Sequence, residues 1–191
     1  MRRLVAAALV IVALSSILVT QASQTAPEKK MDTLMVYGDG FLFSMKEPDG
    51  WHCVCDSGAA QYGVNAIVFP SSPGSRAHHV EIKVRLNEKS DEDTLKDLQA
   101  DMQQYKKKYP KVQFALLDIA HPEYKTYQKL FLFPNDYYEY VTYLNPGRQH
   151  AFTISIWMSK EKTPATREEL AAYSTVLRSV QMITSDLQIS H

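Results

Sequence analysis

Cysteine is scarce in this chain. Only Cys53 and Cys55 stand among its 191 residues. That is too few for the disulfide framework that holds small exported domains together, so a hydrophobic core must supply the stability. An excess of charge of either sign is missing as well: 21 lysines and arginines face 21 aspartates and glutamates. Such a balance offers no long-range attraction to nucleic acid or anionic lipid. Catalytic signatures are absent too. There is no Gly-x-Ser-x-Gly elbow, no glycine-rich phosphate loop and no His-Glu-x-x-His pair. His121-Pro122-Glu123 has the first half of a zinc-deaminase signature, but no Pro-Cys-x-x-Cys follows it. The expectation is a non-enzymatic protein without a cofactor. A Ser/His/Asp triad assembled only in space leaves no such trace and stays open.

What the chain does contain begins with an export signal. Arg2 and Arg3 precede an apolar run from Leu4 to Val19, and Thr20-Gln21-Ala22 offers small residues where a signal peptidase cleaves. The run is shorter than the ~20 apolar residues that cross a bilayer, and Ser15-Ser16 interrupts it. Residues 1–22 are therefore expected to be a cleaved signal peptide, with an uncleaved N-terminal anchor as the alternative. Either places the folded part outside the cytoplasm, periplasmic or secreted, with no membrane span after cleavage. No cysteine lies near the end of the run, which argues against a lipoprotein. Residues 23–32 are polar and read as a tether, residues 33–184 as one domain, and residues 185–191 as a C-terminal tail. Loss of Arg2 and Arg3 leaves the exported part at a formal charge of −2.

Two hydrophobic periods alternate along that domain. Val80, Ile82, Val84 and Leu86 interleave with His79, Glu81, Lys83 and Arg85, the pattern of a half-buried strand. Phe152, Ile154, Ile156 and Met158 repeat it. Less regular strands are expected at 34–36, 41–45, 65–69, 112–119, 124–133 and 137–144. Pro134-Asn135-Asp136 and Asn145-Pro146-Gly147 supply turns between the later ones, which makes 112–158 an antiparallel meander. Leu95, Leu98, Met102, Tyr105 and Tyr109 form the stripe of one helix, opened by Ser90 and stopped by Pro110. Leu170, Tyr173, Leu177 and Val180 form a second stripe, behind Thr166 and Glu169 at capping-box spacing. Asp56 to Tyr62 suggests a short helical turn. Amphipathic helices must lay their stripes on something apolar, so the fold class is α+β: an antiparallel sheet with helices packed on it.

The stretches "GFLFSMKEPDGW" (Gly40 to Trp51), "VNAIVFP" (Val64 to Pro70) and "LAAYSTVLRSV" (Leu170 to Val180) resemble the PsbP-like and DcrB-like proteins. The resemblance extends over most of residues 34–183 in element order. It implies a PsbP-like α/β/α sandwich and a non-enzymatic accessory or protein-binding role in the envelope, and it carries over no functional residue.

Two places remain as candidate sites. The first is "HCVCD", with His52, Cys53 and Cys55. On a strand the two cysteines project from one face about 6.6 Å apart at Cα, near the upper limit for a disulfide. Closing so short a loop stabilises a fold by only ~1.6 kcal/mol. As a metal site the group lacks a fourth zinc ligand, unless His78, His79, His121 or His150 folds toward it; Cu(I) is the ion two thiolates suit best. The simpler account is a buried Trp51 after a Pro48-Asp49-Gly50 turn, with the cysteines as small core residues or a local disulfide. The second place is aromatic: Tyr124, Tyr127, Tyr137, Tyr138, Tyr140 and Tyr143. Tyr137 and Tyr138 are adjacent and must face opposite sides of a sheet. Rings left uncovered by helices would form an amphipathic surface for a protein partner; covered rings would simply be sheet core. An envelope protein is the expected partner, and a metal- or small-molecule-binding module using Cys53 and Cys55 is the alternative.

Overall fold

The computed structural model describes residues 33–38, 40–71, 80–89 and 93–183. The expected signal peptide, tether and tail lie outside these residues, as do His78, His79 and the Ser90 cap. Alternating strands and turns build a seven-stranded sheet from β3 (Trp51–Val54), β4 (Ala66–Pro70), β5 (Glu81–Glu88), β6 (Gln113–Ala115), β7 (Lys125–Phe133), β8 (Tyr137–Asn145) and β9 (Phe152–Glu161). Their spatial order is β3-β4-β5-β9-β8-β7-β6, and each neighbouring pair is antiparallel. The meander expected over 112–158 is present. Asp136 takes the left-handed conformation at one of its turns, and at another Asn145 Oδ1 accepts from the Gly147 amide at 3.0 Å.

One expected strand is cut short. Residues 112–119 pair only over Gln113–Ala115, because Phe114 packs beneath one face of the sheet while Leu117 and Ile119 pack on the other. The chain wraps over the sheet edge between them, which ends the ladder and leaves Leu116 exposed.

A second sheet was not foreseen. β1 (Thr33–Gly38) and β2 (Phe41–Lys46) form a hairpin, and the two-residue β10 (Gln181–Met182) adds to the free side of β2. The described residues also form three helices: α1 (Ser57–Ala60), α2 (Leu95–Lys108) and α3 (Arg167–Ser179). The capping box at α3 is formed, with Thr166 Oγ1 accepting from Glu169 N and Glu169 Oε2 from Thr166 N. α2 begins at Leu95, after Thr94, whose buried hydroxyl turns to Thr153 rather than capping. Among the described residues no helix is long and apolar enough to cross a membrane.

The two faces of the large sheet are covered differently. On one, Ile82, Val84, Ile154, Ile156 and Met158 meet Tyr173, Val176 and Leu177 of α3 and Phe43 and Met45 of the small sheet. Each fully buried large side chain there contributes about 1.5–3 kcal/mol. On the other, α2 inserts Leu98 beside Phe131 and Val141. The packing of helices on both sides fits the expected layered α+β class.

Candidate functional site

Turn chemistry sets up the cysteine segment. Gly50 takes φ +75°, the Trp51 amide donates to the Pro48 carbonyl at 3.0 Å, and Trp51 is buried as β3 begins. Cys53 and Cys55 are both free thiols. Burial, with Cys55 and Glu47 adding to it, pushes the Cys53 thiol up to about 12. A reactive or metal-binding cysteine needs the opposite shift. His52 packs edge-on against Phe69, with Nδ1 3.6 Å from Glu47 Oε2. His121 lies before β7, across the sheet from β3, and His150 lies in the β8–β9 turn. Among the described residues no group of three or more His, Cys, Asp or Glu side chains is placed to hold a metal.

The six tyrosines divide between the two faces, as the adjacency of Tyr137 and Tyr138 requires. Tyr124, Tyr138 and Tyr140 lie on the α3 side. Tyr140 is only 4% exposed, and its hydroxyl accepts from the Ala165 amide. Tyr124 stacks on His121 at 4.4 Å and accepts from the Met182 amide. Tyr127, Tyr137 and Tyr143 lie on the α2 side, and each gives its hydroxyl proton to a carboxylate. Tyr127 donates to Asp93, Tyr137 to Glu139 Oε1 at 3.2 Å, and Tyr143 to Asp101. None of the six is exposed, and the hydroxyls of Tyr124, Tyr127, Tyr137, Tyr140 and Tyr143 have partners inside the domain.

Those carboxylates mark a place that the sequence reading did not single out. Between α2 and the sheet lies a cleft of about 490 Å³. Its floor comes from β5, β8 and β9, whose register sets Glu139 beside Ser159 and Arg85 beside Ser155. Asp101, Gln104 and Tyr105 of α2 form its roof, and Trp157 and Tyr143 its aromatic walls. The floor is ordered: Asn87 Nδ2 donates to Ser155 Oγ at 2.9 Å, and Ser155 Oγ donates to the Arg85 carbonyl at 3.2 Å.

Glu139 is the unusual member. It is 9% exposed, and its Oε2 is shielded from solvent and meets no donor at hydrogen-bonding geometry among the described residues. Desolvation holds its carboxyl above the usual carboxylate range, although the nearby Tyr105 and Tyr137 hydroxyls pull it back. Burial likewise raises Asp101, against the hydrogen bond from Tyr143. Desolvation, together with Glu139, pushes Tyr137 up to about 12. A signal was present in the chain: Asp97 and Asp101 lead at four-residue spacing to Tyr105 of the α2 stripe, so carboxyls share the face that meets the sheet.

Comparison with known proteins gives a fold and little more. No family model matches the chain, and no curated protein matches it. Among solved structures it is similar to the crystal structure of LpqN, described as involved in cell envelope biogenesis of Mycobacterium tuberculosis. The TM-score is 0.58 with 14% identity, over 81% of this chain and 92% of that one. At that identity the likeness shows a shared α+β fold.

Proposed function

We propose that this chain is an exported, non-enzymatic accessory protein of the cell envelope that works by binding, with the cleft beneath α2 as its binding place. The observation that carries the reading is a concave, aromatic-walled space with a buried carboxyl oxygen left without a donor. The N-terminal pattern of Arg2, Arg3 and the apolar run supports export. The fold shared with LpqN, whose description places that protein in envelope biogenesis, is consistent with the compartment. Binding is favoured over turnover by the state of Ser155. Its proton is committed to a backbone carbonyl, so no base draws on it as a nucleophile requires.

Native mass spectrometry of the protein recovered from envelope extract tests this. The expected result is a non-covalent small-molecule mass on the wild-type protein that is lost in Trp157→Ala. A bare protein mass, with Trp157→Ala indistinguishable from wild type, sinks the reading.

A second reading, docking of an envelope protein, is favoured by β1. This strand is an edge of the small sheet, and Met35 and Tyr37 on its outer face are 47% and 81% exposed. An edge that no other described strand pairs, beside exposed apolar side chains, suits strand addition. Capture of one envelope protein in stoichiometric amount, abolished by Tyr37→Lys and untouched by Trp157→Ala, selects it.

A further inference from the structure

The charge inside the cleft is one-sided. Asp97, Asp101 and Glu139 line it against the single guanidinium of Arg85. Lys83 of β5 sits 2.9 Å from Glu81 and outside the lining, and its charge offsets only part of the burial penalty at Glu139. A buried carboxylate without a full set of donors is costly, by about 1–3 kcal/mol or more for a charged group, unless something restores the hydrogen bonds. Strongly desolvated ionisable groups cluster at functional sites, where a ligand can supply what the protein withholds. Tyrosine hydroxyls already stand at Glu139, so the missing element is a further donor, one that carries positive charge.

We propose that the cleft beneath α2 binds a small organic cation bearing a primary ammonium group, which donates to Glu139 at the floor and to Asp101 at the roof. The proposal rests on the cleft being the binding place. Two observations carry it independently. Glu139 is nine-tenths buried with Oε2 unpartnered, and it belongs to the cleft wall. The rings of Trp157, Tyr105 and Tyr143 also line it, and aromatic faces attract ammonium groups by about 0.5–2 kcal/mol each. An inorganic divalent ion suits the place less well. It requires several converging oxygens, whereas Asp101 and Glu139 already accept from tyrosine hydroxyls, and the described residues hold no metal-binding group. Carbon chain lying along the rings, with the ammonium at the acids, uses both the aromatic and the acidic features of the lining. Gln104 and Asn87 remain to recognise polar groups further along the same molecule.

Spermidine is the probe, added to the exported protein at moderate salt and followed by the two tryptophan indole N–H resonances. Trp157 lines the cleft, and Trp51 belongs to the core on the α3 side and serves as the internal reference. Spermidine is expected to move the Trp157 signal saturably and to leave Trp51 in place. Glu139→Gln and Asp101→Asn each weaken binding about tenfold or more, the change expected for losing a charge-assisted hydrogen bond. Glu168→Gln, outside the cleft, leaves binding unchanged and controls for diffuse attraction to acids. Choline, which has no N–H to donate, binds more weakly than spermidine. Spectral dispersion in the same experiment shows that each variant is folded.

No saturable shift with spermidine, or an equal shift in folded Glu139→Gln, overturns the proposal. So does a shift with calcium chloride, sucrose or citrate but not spermidine; that result keeps the cleft as a binding place and removes only the cation. Silence from every probe, together with a bare native mass, removes both.

Discussion

Along β5, β8 and β9, odd and even positions lead to opposite environments. Toward α3 these strands present Ile82, Leu144, Ile156 and Met158, all at zero exposure, against Tyr173 and Leu177 at zero exposure. Toward α2 the same strands present Arg85, Glu139, Tyr143 and Ser155 around a cleft. The helices match their faces. α3 buries Ala172, Tyr173, Val176 and Leu177, whereas α2 buries only Leu98. The difference separates two tasks: one face holds the domain together, and the other keeps polar groups in a space that hydrophobic packing has not closed. Groups arranged for binding commonly reduce stability where they sit.

The largest test of that contrast lies on the α3 face. Tyr173 is fully buried, and its hydroxyl stands 2.8 Å from Thr142 Oγ1 and donates to the Ile156 carbonyl at 3.0 Å. It therefore fixes α3 to the middle of β8 and β9. Tyr173→Ala is expected to cost about 3–5 kcal/mol in urea unfolding. Leu98→Ala on α2 is expected at about 2 kcal/mol, the low end for such truncations, because the open cleft lets neighbours relax. Amide exchange should show α2 opening well before α3. Equal costs, or equal protection of the two helices, break the comparison.

A second test changes sign. Glu139→Gln removes a buried charge and is expected to stabilise the protein by about 1 kcal/mol at pH 7. Because burial raises the folded-state pKa of Glu139, the folded protein binds this proton more tightly than the unfolded chain. The penalty is therefore full above the folded pKa and is gone below the ordinary carboxylate value. The advantage of Glu139→Gln should shrink as pH falls through that window. A variant less stable than wild type at pH 7 would show that Glu139 supports the fold rather than straining it.

How much of this was legible in the chain follows the same division. The α3 face was readable because its signals are local. Phe152, Ile154, Ile156 and Met158 alternate, Thr166 and Glu169 announce a helix start, and the stripe ending at Val180 fills one side of it. The small sheet was missed because β10 is two residues long and pairs with β2 across almost the whole domain, through Gln181 with Ser44 and Met182 with Phe43. No local pattern encodes such a contact. The cleft was missed for a related reason. Glu139 stands between Tyr138 and Tyr140 and reads as a solvent-facing residue of a half-buried strand. Only the β8–β9 register and the docking of α2 turn it inward beside Asp101. The tyrosines drew notice as a possible surface, yet in the fold the hydroxyls of Tyr124, Tyr127, Tyr137, Tyr140 and Tyr143 serve internal partners. Composition reveals which rings a sheet contains, and tertiary packing decides which of them meet solvent.

The smallest expected effect concerns where the α3 face ends. His121 is buried, and its Nδ1 accepts from the amides of Glu123 and Tyr124 at 3.0 and 2.9 Å. That fixes the neutral tautomer with the proton on Nε2, which donates to the Val180 carbonyl at 2.9 Å. The ring thus ties the end of α3 to the loop before β7, and Tyr124 continues the tie to Met182. A proton on Nδ1 would point at two amide donors. Desolvation lowers the His121 pKa, with Val180 and Glu123 acting against it. A depressed folded-state pKa means the contribution is complete above about 6.5, the unfolded value, and is lost as pH falls through the folded value. The α3 face should therefore weaken on mild acidification. Urea midpoints between pH 7 and pH 5 should decline less steeply in His121→Phe than in wild type, because phenylalanine keeps the stack on Tyr124 and cannot titrate. Parallel declines would place the acid sensitivity of the domain elsewhere and leave His121 as a fixed strut.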